Sequence, residues 1–100
     1  MQKIFSSGDL DHPLTTLVRV QPEYPLNARQ QKIQGFVMVR FVVNTEGKVE
    51  DVTVIKAQPE GIFDKSVMRC VARWRFEPGT VKGTPVNTWA ETTVNFELER

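Results

Sequence analysis

Gly35-Phe36-Val37-Met38-Val39-Arg40-Phe41-Val42-Val43-Asn44-Thr45-Glu46-Gly47-Lys48-Val49 decides the fold. Apolar side chains recur at 37, 39, 41 and 43, the period of a strand with one face on a core. Phe36 and Val42 make the second face partly apolar, so this strand is expected at the centre of a sheet. Asn44-Thr45-Glu46-Gly47 has the chemistry of a hairpin turn and predicts a return strand over 48–57. Val49 falls out of step with Val52 and Val54, and one extra residue near Glu50-Asp51 restores their common face, so a bulge is expected there.

Downstream, Gln58-Pro59-Glu60-Gly61 breaks the strand. Phe63, Val67, Cys70 or Val71, and Trp74 then recur at spacings of three and four, the stripe of an amphipathic helix. Asp64 in its first turn and Arg69 and Arg73 near its end suit the helix dipole. Phe76-Glu77-Pro78-Gly79 ends the helix, with Trp74 and Phe76 as an aromatic closure. After the turn at Lys82-Gly83-Thr84-Pro85, residues 86–98 alternate between an apolar even face and a polar odd face that carries Trp89.

Upstream, Pro25 suits a first helical turn, and Leu26 to Lys32 predicts a short helix ending near Gly35. Residues 1–16 predict a flexible arm, and residues 1–14, which show neither helical nor strand period, are expected to be dispensable for folding. The expected architecture is α+β: a three-stranded antiparallel sheet of order 2-1-3, a short N-terminal helix, and one longer helix packed on one face.

Composition narrows the function. One hundred residues, 40% hydrophobic and 25% charged, make one small domain with a modest core. Thirteen basic against twelve acidic residues leave a net charge of +1, too little to steer the domain to nucleic acid or anionic lipid. His12 has no second histidine or cysteine to join it in a metal site. Cys70 lies on the helix stripe as a small hydrophobe, with no activating group evident. The glycines are isolated and no nucleophile motif occurs. The reading is therefore of a non-enzyme without cofactor. Trp89, on the polar face of an edge strand, is a candidate binding residue.

Gln21-Pro22-Glu23-Tyr24-Pro25, Ala28, Gly35 to Phe41, Gly47-Lys48-Val49, Phe63 and Trp74-Arg75-Phe76-Glu77-Pro78-Gly79 stand in order and at separations that resemble the TonB C-terminal domain over about residues 17–98. The combination Y-P, G-x-V-x-V-x-F, G-x-V and W-R-F-x-P-G carries the specificity of the match. The resemblance implies a periplasmic receptor-binding domain, residues 17–100, with residues 1–16 as the end of a spacer. An inner-membrane anchor would lie outside this sequence.

It further implies work with ExbB and ExbD to carry proton-motive energy to TonB-dependent outer-membrane receptors for siderophores, haem or vitamin B12. The receptor's short N-terminal box would add as an extra strand. Position by position, the implied partner-binding residues are Gln21, Pro22 and Tyr24, and Val86, Asn87, Thr88, Trp89, Ala90, Glu91 and Thr92 of the last strand. That strand has no proline or lysine over 86–98 to blunt its edge. A monomer is expected. The rival readings are a dimer paired through the same edge and a small enzyme or inhibitor fold of the same class.

Overall fold

The computed structural model describes residues 3–98. In chain order its elements are β1 (Ile4–Phe5), a 3-10 turn (Ser7–Asp9), β2 (Thr16–Val18), α1 (Leu26–Gln30), β3 (Gly35–Val43) and β4 (Val49–Gln58). They continue with α2 (Asp64–Val71), β5 (Arg75–Phe76), β6 (Gly79–Val81) and β7 (Thr84–Phe96).

The expected sheet of order 2-1-3 is present as β4-β3-β7, antiparallel throughout, with β3 central. Two further strands join the three expected. The sheet has five strands, because β1 adds in parallel to β7 at Asn87 and Thr88, and β6 pairs with β7 from Thr84 to Val86. A separate two-stranded sheet joins β2 to β5. These extra strands are two or three residues long, too short to show a period.

The bulge expected near Glu50-Asp51 is present. The partners step from Thr53 opposite Arg40 to Glu50 opposite Val42, and Asp51 takes a positive φ of 54°. A second irregularity, between Met38 and Val39, was not foreseen. Both helices are shorter than their apolar patterns, and Lys32, at φ 57°, turns the chain out of α1 before Gly35. The last strand begins two residues early, since the β6–β7 turn is Lys82-Gly83 alone, both at positive φ.

The core fills the space between α2 and one sheet face. Val37, Val39, Phe41 and Val43 of β3 and Val94 and Phe96 of β7 meet Phe63, Val67, Cys70, Val71 and Trp74 from the helix and its flanks. Phe63 stacks on Phe96 at 4.1 Å between centroids, and Tyr24 meets both rings edge-on at 5.6 and 5.5 Å. Packing these three rings together adds to the apolar burial that offsets chain entropy.

Candidate functional site: the open side of the last strand

The side of β7 on which a partner strand can add follows from hydrogen bonds in a distant turn. Asn44 N–H donates to the Lys48 carbonyl at 2.8 Å, so the even residues of β3 face β4 and the odd ones face β7. The register between β3 and β7 then runs unbroken from Val43–Thr88 to Gly35–Phe96. Odd residues of β3 therefore bond to even residues of β7. Trp89, Glu91, Thr93 and Asn95 consequently aim their N–H and C=O groups at the opposite, unpaired side.

The same parity explains what covers the start of the strand. The two-residue turn makes Val81 and Thr84 a hydrogen-bonded pair, so β6 meets the even residues of β7 and continues the line of β3. On the open side, β1 occupies Asn87 and Thr88. Among the described residues, nothing pairs there beyond Thr88.

The edge expected to be open from Val86 to Thr92 is thus shorter at its start. Val86 pairs with Gly79, Asn87 with Ile4, and Thr88 with both Phe5 and Val43. Trp89, Ala90, Glu91 and Thr92 remain beside open space, and the unpaired side extends to Phe96. Beside it lie a cleft of about 470 Å³ bordered by Ser6, Ser7, Arg40 and Trp89, and a smaller one of about 210 Å³ bordered by Arg19, Trp74 and Thr92. Leu14 borders both. The trough therefore has β7 as one bank and residues 14–19 as the other.

Trp89 is half-buried on the outer face, with the Arg40 guanidinium 4.0 Å from its ring centroid. Arg40 is Glu91's cross-strand neighbour, yet it stacks on the indole, so the Glu91 carboxylate stays exposed beside the edge. Gln21, Pro22 and Tyr24 do not converge on this stretch. Tyr24 packs at the far end of β7 through Phe96 and donates its hydroxyl to the Ile33 carbonyl. Gln21 is exposed and borders a cleft along α2 with Arg69 and Arg73.

Of the arm expected over residues 1–16, residues 1 and 2 lie outside the described residues; the rest includes β1 and the 3-10 turn and meets the β6–β7 turn through Asp11. Asp11 accepts hydrogen bonds from Lys82 N–H at 2.8 Å, Gly83 N–H at 2.9 Å and the Thr80 hydroxyl at 2.9 Å. These bonds, led by the one from Gly83, hold its carboxyl below the ordinary carboxylate value. Sequence reasoning passed over Asp11 because its partners are some 70 residues away and no local pattern announces them. It also passed over Thr93 and Asn95, whose role follows only from the parity of the ladder.

Burial pushes the Cys70 thiol above its ordinary value, opposite to what a nucleophile needs, and its sulfur donates to the Val20 carbonyl at 2.8 Å. Among the described residues no group of three or more His, Cys, Asp or Glu side chains stands close enough to hold a metal.

Fold and edge together define a small α+β domain that presents a strand. Comparison with known proteins then places it. The family model described as "Gram-negative bacterial TonB protein C-terminal" matches residues 20–98, and the chain belongs to that family, whose members are non-enzymatic transducers. It is 34% identical to Protein TonB of Pseudomonas aeruginosa over 95 residues, covering 94% of this chain and 28% of the relative. To Protein TonB of Escherichia coli it is 41% identical over 63 residues, 63% of this chain and 26% of the relative.

The chain thus spans little more than a quarter of the length of these relatives. The solution NMR structure of the Pseudomonas aeruginosa TonB C-terminal domain superposes with a TM-score of 0.77 at 33% identity, covering 95% of this chain and 94% of the other. The TonB2 protein of Vibrio anguillarum gives 0.65 at 30% identity, covering 100% and 92%.

Proposed function

We propose that this domain is the receptor-binding, periplasmic end of a TonB-type energy transducer, which grips outer-membrane receptors by taking their short N-terminal box as an extra strand on β7. In this reading a segment beyond this sequence anchors the protein in the inner membrane and engages ExbB and ExbD. The domain passes proton-motive energy to receptors that import siderophores, haem or vitamin B12. No bond is made or broken by it. A pull along the strand axis loads several backbone hydrogen bonds together, which suits a module that must hold while it transmits force.

The observation that carries the proposal is the contrast between the two outer edges of the sheet. The outer side of β4 is blunted by two register irregularities and carries Glu50, Asp51 and Lys56 as exposed side chains. From Trp89 to Phe96, β7 has an unbroken register, no proline and no lysine. A long edge of unbroken register with a single charged side chain, Glu91, is one that natural proteins avoid unless a partner pairs with it.

Calorimetric titration with synthetic N-terminal peptides of TonB-dependent receptors tests this. Binding should survive Glu91→Ala and vanish in a peptide whose central box residue is proline. Proline-substituted peptide binding as well as the parent would sink the proposal.

A further inference from the structure

A groove distinct from the β7 trough runs along the flank of α2. Two clefts of about 360 and 720 Å³ share Glu23, Ser66 and Arg69 and so form one continuous depression between α2 and residues 20–29. Each is in the size range of small-ligand sites. Four exposed cations border it: Arg29, Lys65, Arg69 and Arg73. Lys65 and Arg69 stand four residues apart on one flank of the helix, and Arg73 follows four residues later in the turn just beyond its end at Val71.

Among the described residues none of these four lies within ion-pair distance of a carboxylate; the one ion pair there joins Lys48 to Glu46. Arg29 has only the Tyr24 ring, 5.6 Å from its guanidinium, and Arg69 reaches back to the Lys65 carbonyl at 3.4 Å. The wider cleft also has two exposed apolar side chains, Leu26 at 67% and Ile62 at 40% exposure.

We propose that this groove docks an acidic peptide segment of a protein partner, one whose carboxylates alternate with apolar side chains. Charge complementarity selects the anion: four unpaired cations against the single carboxylate of Glu23. Leu26 and Ile62 select a peptide over a phosphate polymer, which has no side chain to bury against them. Glu23, inside the groove, repels densely spaced phosphates. The concave shape disfavours a flat lipid surface. The inference does not depend on strand addition at β7, since the groove shares no residue with the trough.

The test is a titration of the isotope-labelled chain at low salt with the acetylated peptide Glu-Glu-Leu-Glu-Glu-Leu-Glu-Glu, followed by amide shifts. Shifts are expected at Leu26, Ile62, Ser66 and Arg69. An octaglutamate peptide should bind about tenfold more weakly, since it loses leucine burial. Lys65→Glu with Arg69→Glu should weaken the leucine-containing peptide about tenfold or more, leave the melting temperature unchanged, and leave receptor-box binding at β7 intact.

Should that pair fail to fold, Lys65→Gln with Arg69→Gln carries the same test with a smaller loss. Shifts absent from the groove would overturn the proposal. Equal affinity for octaglutamate or inorganic polyphosphate would reduce the site to a plain anion surface, and shifts reproduced by phosphatidylglycerol vesicles would assign it to membrane. Either result also overturns the proposal.

Discussion

Trp74 Nε1–H donates to the Val20 carbonyl at 2.9 Å, and this bond fixes the segment leading to the Tyr24-Pro25 corner against the C-terminal end of α2. Arg19 closes over the indole, its guanidinium carbon 4.6 Å from the ring centroid. Trp74 is 4% exposed and touches the core through Phe76. It thus couples the helix, the sheet and the far bank of the trough.

Two substitutions separate the roles of Trp74. Trp74→Ala should cost about 3–5 kcal/mol, the usual range for a large buried aromatic. Trp74→Phe keeps most of the apolar body but loses the donor, and should cost about 1–2 kcal/mol more than its lost area alone. Chemical denaturation measures both, and a Trp74→Ala protein as stable as its parent would remove the residue from the core.

Gly47 and Gly61 share a backbone conformation, φ of 80° and 79°, but differ in surroundings. A Cβ at Gly47 would lie 1.9 Å from the Phe76 carbonyl oxygen, whereas at Gly61 nothing lies within 4 Å. Gly61→Ala should therefore cost only the left-handed strain, about 1–2 kcal/mol. Gly47→Ala should cost clearly more, because the main chain at Phe76 must move. Equal losses in thermal melts would contradict the packing of the β3–β4 turn on β5.

The central hairpin, its bulge, the α2 stripe and the β4-β3-β7 order were all legible in the sequence. Runs of eight to thirteen residues carry a period, and Val37 to Val43 carry it cleanly. What was illegible was decided by contacts distant in sequence. Asp11 reads as part of a solvated arm until it is seen to bridge the Lys82-Gly83 turn. The seemingly open start of β7 is closed by β1, two residues without a pattern of their own. Which residues of β7 face outward depended on the Asn44–Lys48 bond, far from the strand itself.

Asp11 gives a prediction in acid. Its carboxyl sits below the ordinary value of 3.8 in the folded protein because of the bonds from Gly83, Lys82 and Thr80. A depressed folded value means stability that is present above 3.8 and lost as pH falls through the lowered value. Asp11→Ala should therefore flatten the loss of stability below about pH 4 relative to the parent. Its Lys82 and Gly83 amides should also exchange faster at neutral pH. An unchanged acid limb together with unchanged exchange would show that this contact does not hold the turn.

Proline substitutions on β7 should obey the parity of the ladder. At Ala90 the N–H faces β3, so Ala90→Pro removes an internal bond and should destabilise the domain itself. At Glu91 the N–H faces outward, and Glu91→Pro should fold nearly as well as the parent while losing receptor-peptide binding. Circular dichroism melts alongside peptide titrations distinguish the two. A Glu91→Pro protein that unfolds while Ala90→Pro remains native would invert the assigned facing.

The central claim is that a receptor strand adds to the open side of β7, and backbone amide mapping tests it most directly. The isotope-labelled chain would be titrated with a receptor N-terminal box peptide, and amide shifts and hydrogen-exchange protection followed residue by residue. The account predicts new protection alternating along the strand, at Trp89, Glu91, Thr93 and Asn95, with little change at Ala90, Thr92 and Val94, which already bond to β3. Protection confined to residues 49–58 of β4, or the absence of any alternation along β7, would contradict it.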